Sequence, residues 1–183
     1  NLWHNYLTFL LITDENPFSL TCEKTGAGHG SINALVKNDF QEYMYLFHYD
    51  FSWIEQLLGI DCFSRISDYQ AVQKPEQMYN QNVSEKVRTL SEKLETAQNA
   101  DEFFQYITDF YKAYGVGMFG LNKAFRIFSG KQGVEFLPIN NMDRVMLDDL
   151  IGYEIQKKKL VDNTRAFVEG RKANNVLLFG DSG

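Results

Sequence analysis

The residues of this chain best placed to do chemistry are Gly180-Asp181-Ser182-Gly183. They follow Asn175-Val176-Leu177-Leu178-Phe179, a short apolar run of the kind that forms a strand buried on both faces. A buried strand that breaks into a Gly-flanked turn is where open α/β sheets place ligands. The turn fits the first Gly and three further positions of G-x-x-x-x-G-K-S/T, the phosphate-binding loop. In such a loop, glycines let the backbone approach closely and its N–H groups cradle phosphate. The second Gly, the Lys and the Ser/Thr of the pattern are not among the 183 residues. Their places would lie beyond Gly183, so the chain is read as cut inside the loop.

Two other readings fit the same four residues. Ser182 could be a nucleophile: strand-Gly-Asp-Ser resembles the opening of small serine hydrolases, and Gly-Asp-Ser-Gly resembles the nucleophile loop of trypsin-like proteases. The protease reading needs a mostly β chain, which this is not. Alternatively the motif is an ordinary turn, because Asp and Gly are common turn residues.

The elements that must position the motif begin upstream. Leu147-Asp148-Asp149-Leu150-Ile151-Gly152-Tyr153-Glu154-Ile155-Gln156-Lys157 leads into a helix from about Tyr153 to Glu169, ended by Gly170. A polar connector then reaches the terminal strand. Helix followed by strand in a unit of this length is α/β logic. Val134-Glu135-Phe136-Leu137 reads as a short strand stopped by Pro138.

Before Ser129-Gly130 the chain reads as helix and loop. Trp3, Tyr6, Leu7, Leu10 and Leu11 have helical spacing. Asn16-Pro17 reads as an N-cap with proline at the first helical position. Gly26-Ala27-Gly28-His29-Gly30 is a turn, since it follows a helix and lacks a Lys. Ser31 is the expected cap of the next helix, which should break near Asp50. The rings between Tyr43 and Trp53 suit a core better than a ligand cage. Residues 59–82 read as a loop with a short helix over 61–66. Asn82 with Glu85 and Asn99 with Glu102 are capping-box signatures. Val83, Val87, Leu90, Leu94 and Ala97 form a narrow apolar seam expected to dock on its own domain. Gly115 should close the following helix, and Leu121 to Phe128 reads as another short helix.

Composition narrows the class. The chain is 44% hydrophobic and 15% aromatic, with three prolines, which favours a packed helical core. Its net charge is −6, so a nucleic-acid partner is not expected. No apolar run is long enough to span a bilayer, so no membrane role is expected. Cys22 and Cys62 read as reduced thiols, which suits the cytoplasm. His4, His29 and His48 show no ligand spacing, so no metal site is expected. Lys157-Lys158-Lys159 reads as a solvated helix face, and Asp148-Asp149 as a match to a helix dipole.

Taken together, Leu150-Ile151-Gly152, Asn163-Thr164 and Ala173 to Asp181 resemble the opening of AAA+ ATPases. More specifically, they resemble a bacterial AAA+ family known only as a domain of unknown function. The resemblance implies a mainly α chain: a helical N-terminal domain over 1–130, a linker with a short strand over 131–144, and the first helix and strand of an incomplete α/β P-loop domain over 145–183. It implies that Leu150, Ile151 and Gly152 line an adenine pocket, and that Gly180, Asp181, Ser182 and Gly183 open the phosphate loop (Walker A). ATP and Mg²⁺ are then expected in the full-length protein, which would be an ATPase and, like other such cores, a homo-oligomer. The 183 residues themselves are expected to be non-catalytic and to bind ATP weakly or not at all. Residues 1–130 would regulate the core or bind an unknown protein partner. The rival from another class is a helical adaptor without nucleotide chemistry; a Gly-Asp-Ser hydrolase is the third reading.

Overall fold

The structure is a computed structural model that describes residues 1–69, 81–130, 133–139 and 146–180. The chain divides into two compact units, Asn1–Met142 and Asp143–Gly183. The sequence places its change of character at 130; the first unit runs past that point and takes in a β-hairpin.

The first unit contains helices α1 (Leu2–Thr13), α2 (Pro17–Thr25), α3 (Ile32–Phe47), α4 (Ser52–Leu58), α5 (Cys62–Ser67), α6 (Gln81–Thr96), α7 (Ala100–Tyr114) and α8 (Gly117–Leu121). Strands β1 (Phe125–Gly130) and β2 (Gly133–Pro138) follow. The mainly helical class expected from sequence is therefore the observed one.

Most helix ends follow from local chemistry. Asn16 Oδ1 accepts the Ser19 N–H at 2.9 Å, while the Asn16 N–H donates to Ser19 Oγ, a closed capping box with Pro17 at the first helical position. Asn99 Oδ1 accepts the Glu102 N–H at 2.9 Å, but Glu102 returns its carboxylate to the Gln98 N–H, one residue earlier than expected. The break near Asp50 is made by Asp50 itself, whose carboxylate accepts both the N–H and the hydroxyl of Ser52. Those two bonds hold its pKa below the usual carboxylate value. Ser31 precedes α3 as expected but does not cap it. Its backbone is already helical, and backbone bonds from Asn33 to Gly30 and from Ala34 to Ser31 close the turn instead. The Asn82 side chain lies outside the described residues.

The core is built around α7. Its buried face carries Phe103, Phe104, Ile107, Phe110 and Tyr111, and it packs against α2, α3 and α6. Phe103 is 0% exposed; its ring meets Phe40 at 5.4 Å and Phe47 at 5.7 Å between centroids. The α6 seam closes the other side: Val87, Leu90, Leu94 and Ala97 are all buried. It docks on its own unit, against α1 and α7. Two polar ties cross this core. Tyr111 donates its hydroxyl to the Leu11 carbonyl at 2.7 Å, and buried His4 donates Nε2–H to the Phe47 carbonyl at 2.7 Å. The rings around Tyr43–Trp53 divide between core and surface. Phe47 is buried, Tyr45 and Trp53 are exposed, and Phe51 stacks on Phe63 at 4.4 Å.

The stretch from Leu121 to Phe128 departs from expectation. The helix there is α8, which ends at Leu121, and Phe125 already begins β1. β1 and β2 pair antiparallel, with Phe125 opposite Pro138 and Ile127 opposite Phe136. An apolar run this short has no decisive period; its pairing with Val134–Leu137 makes it a strand. Phe119 of α8 joins Phe125 and Phe136 in a ring cluster beneath the hairpin. The turn before it is close-packed: a Cβ on Gly120 would collide with the Gly115 backbone. Lys86 of α6 anchors the same turn, donating to the Gly120 carbonyl at 3.1 Å and lying 4.7 Å from the centre of the Tyr114 ring. Burial and nearby Lys123 lower the Lys86 pKa.

Two measurements test this account. Phe103→Ala is expected to cost about 3–5 kcal/mol in urea unfolding, because the cavity cannot collapse between Phe40 and Phe47. Burial, reinforced by Asp14, pushes the Tyr111 phenol well above its usual range. Unfolded tyrosines ionise near about pH 10. Above that the unfolded state binds fewer protons than the folded one, so stability falls as pH rises. Tyr111→Phe is expected to flatten that decline and to cost about 1 kcal/mol at neutral pH, where only the hydrogen bond is lost. An equal alkaline slope in both proteins would contradict the assignment.

Candidate functional site

The second unit holds every residue that the sequence assigned to nucleotide binding. Its backbone begins with a 3-10 turn over Leu147–Asp149. Asp149 Oδ2 accepts the Met146 N–H at 2.7 Å, so this acid caps its own turn. The chain then reverses through Gly152 (φ 87°) and Tyr153 (φ 59°, ψ 28°) and enters α9 (Glu154–Val168). Two successive positive φ values make a sharp corner, and only the first falls on a glycine. Tyrosine in the left-handed region is uncommon and costs backbone energy, so surrounding contacts must hold the corner.

Lys157 is one such contact. It was expected to be solvated, yet its side chain is only 18% exposed. Its ammonium donates to the Leu150 carbonyl at 2.8 Å and pairs with Glu154 at 2.7 Å. Lys158 and Lys159 are exposed, as expected for the rest of that triplet. The corner leaves Ile151 96% exposed and Leu150 partly so, presenting two apolar side chains ahead of α9.

The far end of α9 is equally defined. Gly170 has φ 69°; its N–H donates to the Phe167 carbonyl, and the Arg171 N–H to the Ala166 carbonyl. That is a Schellman ending, with glycine where the left-handed residue must be. Beyond it, Asn163 Nδ2 donates to the Asn174 carbonyl at 2.8 Å, and the Asn174 N–H donates to Asn163 Oδ1 at 2.9 Å.

Residues 175–179 have the apolar pattern of a strand but, among the described residues, no ladder partner and no regular secondary structure. A strand exists only through its neighbour's hydrogen bonds, and the described sheet contains β1 and β2 alone. Val176, Leu177, Leu178 and Phe179 are exposed, Phe179 at 93%. Gly180 ends the described chain in open space. Asp181, Ser182 and Gly183 lie outside the described residues. Helix α9 thus holds Leu150 through Lys157 and Asn174 through Asn163.

Sequence reasoning missed the roles of Lys157 and Asn163. Asn163 carried a signal: asparagine is a poor interior helix residue, and its presence there suggests work for its amide. Lys157 carried none, since a lysine triplet on a helix is ordinarily solvated.

Two open hollows accompany these features, one in each unit. In the second unit a hollow of about 470 Å³ is lined by Leu147, Leu160, Val161, Thr164, Arg165, Val168 and Glu169. Leu150, Ile151 and Gly152 are not among its lining residues. In the first unit a hollow of about 490 Å³ is bordered by Phe9, Val83, Met118, Leu121 and Pro138, with Glu15 as its charged group. Among the described residues no group of three or more His, Cys, Asp or Glu could hold a metal, and no helix is long and apolar enough to cross a membrane.

The corner before α9 can be tested directly. Gly152→Ala forces a Cβ into a positive-φ position and is expected to loosen the first turn of α9 by about 1 kcal/mol. The Lys157 N–H, which donates to the Tyr153 carbonyl at 2.8 Å, should then exchange with solvent about fivefold faster. Unchanged exchange would show that the corner does not depend on glycine.

No curated protein and no solved structure matches the chain. Residues 121–183, which run from the end of α8 through the hairpin and α9 to the glycine motif, match the family model described as Protein of unknown function (DUF815).

Proposed function

We propose that residues 145–183 open the ATP-binding core of an AAA+ protein and that residues 1–130 form its regulatory or partner-binding region. The observation that carries this reading is the arrangement around α9. An apolar Leu150-Ile151-Gly152 corner stands at one end, and an apolar segment leading to Gly180 is tied to the helix at Asn163. The residues present suit a nucleotide. Leu150 and Ile151 leave apolar surface free to pack on a base, and Gly180 leaves its backbone open. A bound ATP with Mg²⁺ would supply the transferable phosphoryl group and its charge-neutralising cation. The chain's own contribution is to position: Lys157 fixes the Leu150 carbonyl, and α9 carries the segment before Gly180. The 183 residues contain no phosphate-loop Lys and no Walker B acidic pair, so hydrolysis is not assigned to them.

The helical unit supports a second reading, an adaptor without nucleotide chemistry, because it has a core of its own around α7. Its partner in either reading is a protein; the net charge of −6 disfavours nucleic acid. Both cysteines are free, which suits a reducing cytoplasmic compartment. Assembly of the whole protein into a homo-oligomer belongs to the same proposal.

The coding sequence after the Gly183 codon discriminates first. An x-Gly-Lys-Ser/Thr continuation is expected. An apolar residue followed by a distant Asp-x-x-His would favour a serine hydrolase at Ser182, and a stop codon would favour the adaptor. In titration calorimetry the whole encoded protein is expected to bind Mg-ATP, and residues 1–183 alone to bind it weakly or not at all. Comparable tight binding by both would overturn the division of labour proposed here.

A further inference from the structure

We infer that Asn163 is a positioning residue for the nucleotide site, setting the register of the segment that leads to Gly180; this role rests on the nucleotide reading above. The geometry is specific. One side-chain amide both donates to and accepts from the backbone of a single residue, Asn174, at 2.8 and 2.9 Å. Those are the two bonds that a neighbouring strand would exchange with Asn174. Asn163 therefore acts as a one-residue strand partner mounted on α9, just where the apolar run begins.

The rest of the second unit makes this anchor rigid. The Schellman turn at Gly170 and Arg171 fixes the path between α9 and Asn174. At the other end Lys157, held by Glu154, grips the Leu150 carbonyl. Helix α9 thus sets the spacing between the Leu150 carbonyl and Asn174, the point from which the run toward Gly180 starts.

The chemistry leaves little choice at position 163. Aspartate has no donor for the Asn174 carbonyl and would place a charge against it. Glutamine has both groups but is one methylene longer. Alanine has neither. This separates the role from simple packing, which aspartate would preserve.

The test has a ligand-free and a ligand-dependent part, both on the whole encoded protein. By hydrogen exchange, the Asn174 amide is expected to be protected in the wild type and to exchange about tenfold faster in Asn163→Ala, while Asn163→Asp, which keeps the acceptor for that amide, shifts it less. Mg-ATP affinity is expected to fall about tenfold in the same variants. In Lys159→Gly, which weakens α9 at an exposed position away from Asn174 and the Schellman turn, it should be nearly unchanged. Equal losses in Asn163→Asp and Lys159→Gly would reduce Asn163 to a stability residue and overturn the inference. Wild-type ATP binding with unchanged affinity in Asn163→Ala would overturn it while leaving the nucleotide reading intact. Failure of the wild type to bind ATP would overturn both, and the exchange data would still report whether the clamp exists.

Discussion

The buried aromatic face of α7 is the constraint on which the first unit depends. Phe103 is fully enclosed by Phe40 and Phe47 of α3, Phe104 meets Phe18 from α2, and Tyr111 reaches across to the α1 backbone. Each neighbour is therefore located by a ring or a hydroxyl on one helix. Large rings suit this task, since each removes much apolar area from water while fixing few torsions. The α6 seam is subordinate: its Val, Leu and Ala side chains fill the remaining side and leave the charged face in solvent. The hairpin is attached more lightly, through the ring cluster of Phe119, Phe125 and Phe136.

The second unit works on another principle. It buries little, and Ala166 is the buried residue of α9. Its order comes from directed polar bonds at both ends of one helix: Lys157 to Leu150, the Gly170–Arg171 turn, and Asn163 to Asn174. Such bonds fix direction better than they supply stability, because each contributes about 1 kcal/mol net. Ile151, Leu177 and Phe179 stay exposed there, whereas Ile12, Leu7 and Phe103 of the first unit are core.

Much of the helical architecture was legible because its causes are local. The Asn16-Pro17 cap, the Asp50 break, the Asn99 cap, and the glycines at 115 and 170 act within a few residues of themselves. The Val83–Ala97 seam could be read from its spacing alone. Where the reading failed, the missing information was a partner. Ser31 has the right chemistry for a cap, but backbone bonds had already closed its turn. Phe125–Phe128 has an ambiguous apolar pattern that only pairing with β2 resolves. Lys157 looks like any solvated lysine until the carbonyl of Leu150, seven residues earlier, is brought beneath it by the Gly152–Tyr153 corner.

By itself, then, the amino-acid sequence determined most of the helices, several of their caps and the apolar faces that would be buried. Those features depend on side-chain spacing and on turn chemistry over three or four residues. The tertiary structure decided which apolar runs became strands. Phe125–Gly130 found a partner in β2, and Asn175–Phe179 found none among the described residues. It also decided that Lys157 and Asn163 of α9 hold Leu150 and Asn174. The physical reason is the same in each case: ladder bonds and long-range polar ties are made between residues that the chain must first bring together.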